Sequence, residues 1–172
     1  MNDTIETILG RKSVRDYTNK PISKANLTLL LKAAMAAPSG GDTRPWSFLV
    51  IKDKELLKEL SDTLKYGRMI RDAGAVIVVC GNPQKSTFDG DQYWMFDCSV
   101  AAENILLAAE SIGLGAVWTA VYPNKVRIKN VKKVLNIPKK IEPLCAISIG
   151  YPKSIKKPKN KFDPKNIHWN KY

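Results

Sequence analysis

Apolar residues recur at helical spacing in an early segment of the chain, SKANLTLLLKAAMAAP. The apolar positions that share one helical face there are Leu27, Leu30, Leu31, Ala34 and Met35. Ser23, which precedes this stripe, is a residue type that caps helix N-termini, and Pro38, which follows it, cannot continue a helix. The pattern therefore predicts a helix between Ser23 and Pro38 that buries this face.

Short apolar runs predict four buried strands, because each run has the length of a strand and is bounded by turn residues. They are WSFLVI at 46–51, AVIVVCG at 75–81, GAVWTAV at 115–121 and PLCAISIG at 143–150.

Helical patterns separate these strands. The segment after Asp53 is one, and its inward positions are Leu56, Leu57 and Leu60. A long helix is predicted from Asp91 to Gly113, and since its centre is nearly all small and apolar we expect it to be deeply buried. A basic helix follows at 124–135 and is closed off by Pro138. Four strands among four or five helices predict a single α/β domain built of packed layers.

Composition places the chain among ordinary globular proteins. Its 172 residues are 44% hydrophobic and 26% charged, which suits one domain with a sizeable core. No apolar run approaches the roughly 20 residues of a membrane span, and the first residues lack a basic-then-apolar signal pattern. We therefore expect a cytoplasmic protein without a membrane partner.

The net charge of +12 lies in two segments. Residues 125–140 carry seven cations and no acid, and residues 153–172 carry seven lysines against Asp163. A nucleic-acid-binding surface is one interpretation, but lysine dominates and few aromatic residues interleave, so a solvated basic face is favoured and no nucleic-acid partner is expected. We divide the chain into a domain at 1–152 and a basic extension at 153–172, which either is disordered or docks on its own or a partner subunit.

Cysteine and histidine give no metal or nucleophile signature. Cys80, Cys98 and Cys145 are widely separated and read as core thiols, which indicates neither a disulfide framework nor a zinc site. His168, the single histidine, is assigned to packing or to the surface. Any chemistry is therefore expected to come from a bound organic cofactor.

The stretch GRKSVRDY at 10–17 concentrates three cations and a hydroxyl in five residues. A solvated helix end is one interpretation, because cations favour helix C-termini. An anion site is the other.

Four motifs in order decide between them. RKSVRDYTNKPIS, AAPSGGDTRPWSFLVI, AAENILLAAESIGLGAVWTAVYP and ISIGYP resemble the flavin-dependent nitroreductase family across nearly the whole chain. The resemblance implies an α+β fold with a central, mostly antiparallel sheet flanked by helices, and a homodimer with FMN at the subunit interface. It also implies that NADH or NADPH reduces the flavin, which then reduces a small electrophilic acceptor such as a nitroaromatic or a quinone by a ping-pong mechanism.

The resemblance also assigns roles to residues around the phosphate and the ring. It implies that Arg11, Lys12 and Ser13 hold the FMN phosphate and ribityl chain, and that Arg15 is directed toward the isoalloxazine ring. Such a set suits a phosphate dianion, which takes charge-assisted hydrogen bonds. The segment near N5 and O4 of the ring corresponds to Trp118, Thr119 and Ala120, which would act through their backbone. No catalytic side chain is expected, because N5 of the flavin carries the hydride.

Two further segments depart from the family pattern. Pro38, Ser39 and Gly40 match the segment that reaches the flavin of the partner subunit, but Asp42 stands where Asn is usual and Arg44 where Gln is usual. Arg44 would either neutralise Asp42 beside the ring or form a structural ion pair with it. After GYP, Lys159 and Lys161 stand where the family has Lys-x-Arg for the phosphate, so they offer charge without the guanidinium fork.

A flavin enzyme of the same fold with other chemistry, such as reductive dehalogenation, is the alternative function. It would need a lid between the second strand and the long helix. The segment NPQKSTFDGDQ is only loop-sized, which argues against such a lid.

Overall fold

A computed structural model describes residues 3–86, 92–154 and 156–172. Its five helices are α1 Asp3–Gly10, α2 Lys24–Met35, α3 Lys54–Thr63, α4 Tyr93–Ser111 and α5 Lys125–Leu135. The four strands are β1 Trp46–Ile51, β2 Ala75–Gly81, β3 Gly115–Ala120 and β4 Glu142–Gly150. Each predicted strand is present, with β3 ending and β4 beginning one residue earlier than predicted. The predicted start of the long helix at Asp91 lies outside the described residues.

The strands form one antiparallel sheet in the order β1-β2-β4-β3, so the mixed α/β fold with a central antiparallel sheet is confirmed. Helices α2 and α4 pack on one face of this sheet, and α3 and α5 pack on the other. The central strands are therefore covered on both faces, and every residue of β2 is buried. This burial explains why their sequences read as continuous apolar runs.

Side-chain caps begin the helices where the sequence predicts them. Ser23 Oγ accepts a hydrogen bond from the Asn26 amide at 3.1 Å, and Asp53 Oδ1 accepts one from the Leu56 amide at 2.8 Å. Each satisfies a backbone donor that the first turn leaves without a helical partner.

Two burial predictions need correction. Met35 is 56% exposed, because α2 ends there and its last side chain turns away from the core. Deep burial of α4 holds only for the side that packs on the sheet. The side that faces away from the sheet exposes Tyr93, Phe96 and Val100 by 45%, 64% and 41%. An apolar composition all round the helix therefore does not mean that this protomer buries it all round.

The segment from Ser13 to Tyr17 runs beside the sheet and joins it at two points. Ser13 forms a parallel bridge with Ala116 of β3, and Tyr17 forms an antiparallel bridge with Pro152. The buried Tyr17 hydroxyl is 2.6 Å from the Val14 carbonyl oxygen and 3.1 Å from the Ser148 carbonyl oxygen. These contacts fix the segment that follows α1.

Two glycines make this close approach possible. A Cβ on Gly115 would lie 2.7 Å from Val14 Cβ, and one on Gly150 would lie 2.7 Å from the Tyr17 ring. Both distances are too short for carbon atoms in van der Waals contact. The sheet therefore lacks side chains at the two places where the segment crosses it.

The C-terminal extension is exposed throughout residues 156–172 and contains one short turn at Pro164–Asn166. His168 stacks on Tyr172 with ring centroids 4.1 Å apart. The described part of the extension is thus not buried against its own protomer. Its division from the domain at residue 152, and its docking on a partner, stay predictions.

Candidate active site

A cavity of about 760 Å³ lies at the outer edge of β3. Arg15 and Asp16 line it on one side, the end of β3 on another, and the connection from α3 to β2 on a third. Its volume is within the range of roughly 300–1,000 Å³ that is typical of small-molecule sites. It brings together Arg15, Trp118, Thr119 and Ala120, four of the residues that the sequence assigns to the flavin ring.

The strand that lines this cavity has an outer edge that is open beyond Ala116, because among the described strands β3 pairs with β4 alone and the bridge from Ser13 covers Ala116. The Ala116 carbonyl accepts from the Val14 amide at 3.0 Å on the outer side. Backbone groups alternate in direction along an antiparallel strand, so Trp118 and Ala120 also point outward, toward the cavity. The amide of Thr119 points to β4 instead. Of the three predicted backbone donors, Trp118 and Ala120 are those that face the cavity.

The Ala120 carbonyl has a hydrogen-bond donor, whereas the Thr119 hydroxyl has no partner among the described residues. The Ala120 carbonyl accepts a hydrogen bond from Arg127 Nη1 at 3.2 Å, so a side chain of α5 occupies the outward-facing carbonyl at the end of β3. The Thr119 hydroxyl is buried and has no hydrogen-bond partner among the described residues.

The cations of the predicted phosphate motif are paired with carboxylates of α4. Lys12 Nζ is 2.6 Å from Glu110 Oε1, and Arg11 Nε is 3.4 Å from Glu103 Oε1. Ser13 is exposed. A second cavity of about 360 Å³ is lined by Lys12 and Glu110. Lys12 and Arg15 thus face different cavities, although only two residues lie between them in the sequence.

The loop that follows α2 is held by Asp97 of α4. The Gly40 amide donates to Asp97 Oδ1 at 3.0 Å, and the Arg44 amide donates to Ser39 Oγ at 3.0 Å. Gly41, Asp42 and Arg44 all have positive φ angles, of 56°, 54° and 46°. Two non-glycine residues in this region make a strained turn that tertiary contacts must hold.

Asp42 and Arg44 form an exposed ion pair. Arg44 Nε is 2.8 Å from Asp42 Oδ1, and a second contact joins Nη2 to Oδ2. The hydrogen bond from Arg44 lowers the pKa of Asp42, and the same bond raises the pKa of Arg44. The loop residues Pro38, Ser39, Gly40, Asp42 and Arg44 line neither cavity of the described protomer. Their contact with a partner's flavin stays a prediction.

Lys159 and Lys161 are exposed in the C-terminal extension and line neither cavity. Their predicted contact with the phosphate is therefore not made within this protomer. It also stays a prediction.

One wall of the larger cavity was not predicted from the sequence. This wall is formed by Lys65, Tyr66 and Arg68 from the α3–β2 connection, together with Arg127 of α5. A signal was present in KYGRMIRD, where basic residues and an aromatic residue surround a glycine between two apolar segments. Asp97 was missed as well, and its signal is an acid between apolar residues in the first half of the long helix.

The cysteines are buried, as predicted. Cys80, Cys98 and Cys145 are all fully shielded from solvent. Burial raises the pKa of Cys80 and of Cys98 to about 12, so both stay protonated near neutral pH and are poor nucleophiles. No group of three His, Cys, Asp or Glu side chains suited to a metal ion occurs in the described part of the chain. Nor does any described helix have the length and apolar character to cross a membrane.

The chain is similar to known proteins over its whole length. The sequence model of the nitroreductase family matches residues 8–65 and 61–151. A protein of Archaeoglobus fulgidus, named provisionally as an NADH dehydrogenase/NAD(P)H nitroreductase, is 42% identical over 175 residues that cover 100% of both chains.

Two solved structures show the same fold. A crystal structure from Parabacteroides distasonis, with the same provisional name, superposes with a TM-score of 0.95 at 47% identity and covers 100% of both chains. An FMN-dependent nitroreductase from Clostridium difficile R20291 superposes with a TM-score of 0.90 at 33% identity, over 98% of this chain and 99% of the other.

Proposed function

The chain belongs to the nitroreductase family, and from this premise we propose that it reduces a small electrophilic acceptor with NADH or NADPH by a ping-pong mechanism. FMN is its cofactor, as in the related nitroreductase of Clostridium difficile. The acceptor class that we propose is a nitroaromatic or a quinone. We also propose that the reaction takes place in the cytoplasm.

One observation carries the proposal. The cavity at the edge of β3 combines the Arg15 side chain with the outward-facing backbone of Trp118 and Ala120. The polar rim of an isoalloxazine ring carries both acceptors and an N–H donor, and an open strand edge offers the complementary groups. The residues present therefore fit the ring of FMN.

The phosphate end of the cofactor fits the chain's cations. Arg11, Lys12 and Ser13 supply two charges and a hydroxyl, the donor set that a phosphate dianion requires. Arg11 and Lys12 now contact Glu103 and Glu110, so phosphate would compete with these two carboxylates.

When bound, FMN supplies two-electron chemistry, taking a hydride from the nicotinamide and passing reducing equivalents to the acceptor. The side chains and backbone of this protein bind and orient the reactants and tune the ring. The described site offers no buried acid or base in reach of the cavity, so solvent is the proposed proton source.

We propose that the protein is a homodimer. Exposed apolar side chains lie on two helices, namely Ile5, Ile8 and Leu9 of α1 and Tyr93, Phe96 and Val100 of α4. Helices α1 and α4 contact each other, and in our proposal the second copy covers the exposed apolar side chains of both. A second copy that covers them would also bring its own 38–44 loop and C-terminal extension toward the site.

Light scattering tests this assembly. We expect a dimer for the full chain, and a weaker dimer after truncation behind Pro152 if the aromatic side chains of the extension dock on the partner. A monomer that still binds one equivalent of FMN would contradict the shared site.

The visible spectrum of the purified protein tests the cofactor and the reaction together. We expect a bound flavin spectrum that bleaches when NADH or NADPH is added without oxygen and returns when a quinone or nitroaromatic follows. Initial rates at several fixed acceptor concentrations should give parallel double-reciprocal lines. Protein that is colourless and does not take up added FMN would overturn the proposal.

A further inference from the structure

One wall of the larger cavity, next to the end of β3, is held in place by hydrogen bonds. It consists of Lys65, Tyr66 and Arg68 from the α3–β2 connection and Arg127 from α5, and we call it the basic wall. The Gly67 amide donates to the Leu64 carbonyl at 2.7 Å, and the buried Ser61 hydroxyl donates to the Gly67 carbonyl at 3.1 Å. These bonds fix the turn that carries the basic side chains.

Charge on the cavity lining is unbalanced. Arg15, Lys65, Arg68 and Arg127 contribute four positive charges, whereas Asp16 and Asp72 contribute two negative ones. Asp16 is moreover held by Lys153, with Nζ 3.2 Å from Oδ1. The space beside β3 is therefore electropositive.

The cations of the basic wall have no carboxylate partner in the described part of the chain. Among the described residues, no carboxylate oxygen lies within 4.0 Å of a charged nitrogen of Lys65, Arg68 or Arg127. Arg71 in the same connection provides the contrast, because its Nη2 is 2.8 Å from Asp62 Oδ1. Arg71, which does not line the cavity, is thus paired with a carboxylate, whereas the three cations of the basic wall are not paired with any described carboxylate.

Tyr66 holds two of these cations in place. Its ring centroid is 5.5 Å from Lys65 Nζ and 5.8 Å from Arg127 Cζ, both within the range of cation–π attraction. Tyr66 is 65% exposed, so a ligand in the cavity can reach its ring. Cations around an aromatic ring suit a planar molecule that carries an anionic group.

We propose that the basic wall binds a phosphate or carboxylate group on the molecule that reacts beside β3. The inference rests on the proposed function, since it names the substrate class of that site. The anionic group belongs either to the acceptor, as a carboxylate, or to the nicotinamide coenzyme, as a phosphate. The FMN phosphate has a separate set of cations at Arg11 and Lys12, and Lys12 lines the other cavity.

Arg68→Gln is the test variant, and Lys58→Gln is its control, because Lys58 is an exposed cation of α3 that does not line the cavity. Benzoate and benzyl alcohol are a matched pair of probes that differ in charge. Their binding to the holoprotein is measured from the change in flavin absorption and by calorimetry. KM values for NADH and NADPH report the coenzyme separately.

If the acceptor supplies the anion, Arg68→Gln weakens benzoate binding by about tenfold and leaves benzyl alcohol unchanged. If the coenzyme supplies it through the 2′-phosphate, the variant raises the KM for NADPH more than that for NADH, and if through the pyrophosphate it raises both. Either result supports the basic wall. Unchanged values for every charged probe, or a loss of FMN affinity equal to the loss of probe affinity, overturns it.

A different measurement, FMN binding by the wild-type chain, tests the proposed function. It fails if the wild-type chain does not bind FMN, and calorimetry with benzoate still measures the basic wall in that case. Lys65→Gln provides a second variant should Arg68→Gln fold poorly.

Discussion

Lys12 Nζ lies 2.6 Å from Glu110 Oε1, so the central cation of the predicted phosphate motif is held by a carboxylate of α4. Both side chains are about one-fifth exposed, which limits screening of their attraction by solvent. A phosphate that binds Lys12 must compete with this carboxylate or tolerate its negative charge. Glu110 is therefore expected to weaken the affinity for FMN.

Neutralising Glu110 should strengthen cofactor binding. We expect Glu110→Gln to lower the Kd for FMN by about 3- to 10-fold, because the repulsion of the phosphate is removed and Lys12 is released. Fluorescence titration of the apoprotein measures this. Glu55→Gln, at an exposed position on α3, is the matched control. Weaker FMN binding in Glu110→Gln would mean that the carboxylate positions Lys12 productively.

Removing a donor of the phosphate motif should have the opposite effect. We expect Arg11→Ala and Ser13→Ala each to weaken FMN binding, and loss of the charged hydrogen bond from Arg11 should cost about 1.5–3 kcal/mol. The same titration gives both Kd values. Unchanged affinity in Arg11→Ala would remove Arg11 from the phosphate site.

The Asp42–Arg44 pair should tune the reduction potential of the flavin if the loop reaches the ring. Reduction adds negative charge near the ring, so Asp42→Asn should raise the potential and Arg44→Gln should lower it. The expected size is at most about 30 mV, which for two electrons is a tenfold change in equilibrium constant. Equilibrium reduction against a reference dye measures both shifts.

The pH dependence of this effect has a defined sign. Since Arg44 lowers the pKa of Asp42, the carboxylate is ionised at neutral pH and the Asp42→Asn shift should be present there. It should vanish as the pH falls through that lowered pKa. Potentials that neither variant moves, while FMN still binds, would place this loop away from the ring.

Alkaline pH should destabilise the fold through its thiols. Burial raises the pKa of Cys80 and Cys98 from 9.0 to about 12, so above pH 9 the unfolded chain releases protons that the folded chain keeps. Stability is thus retained below the ordinary thiol pKa and lost as the pH rises toward the folded value. Each thiol should contribute a slope of about 1.4 kcal/mol per pH unit.

Urea unfolding from pH ~8 to ~10.5 measures this slope. Cys98→Ala should be less stable at every pH because it leaves a cavity, but its stability should fall less steeply with pH than that of the wild type. Equal slopes for the two proteins would show that the Cys98 thiol does not titrate on unfolding.

Local pattern was sufficient to predict most of the fold. Helix caps such as Ser23 and Asp53 and the continuous apolar strands depend on neighbouring residues and on burial alone. Exposure of Phe96 and Met35 could not be predicted, because an apolar side chain reads alike whether it packs in its own protomer or faces outward. Periodicity describes a helix, and it does not say what lies against each side.

A motif could name residues that line one cavity, whereas residues that only the tertiary structure brings together were missed. Arg15 and Trp118 lie 103 positions apart by number and were joined through a family resemblance, and the structure places both at one cavity. The basic wall carries no such motif. Arg68 and Arg127 meet there only because α3 and α5 pack on the same face of the sheet.

The crossing of residues 13–17 over Gly115 and Gly150 implies an order in which the parts of this chain fold. The Tyr17 hydroxyl reaches a carbonyl 131 positions away, so the N-terminal segment that carries Arg15 can settle only once β3 and β4 are in place. Contacts of such high sequence separation close late, because the intervening chain must be ordered first. During synthesis, the first residues made are therefore among the last to reach their final position. We expect uptake of the cofactor to report the completion of folding.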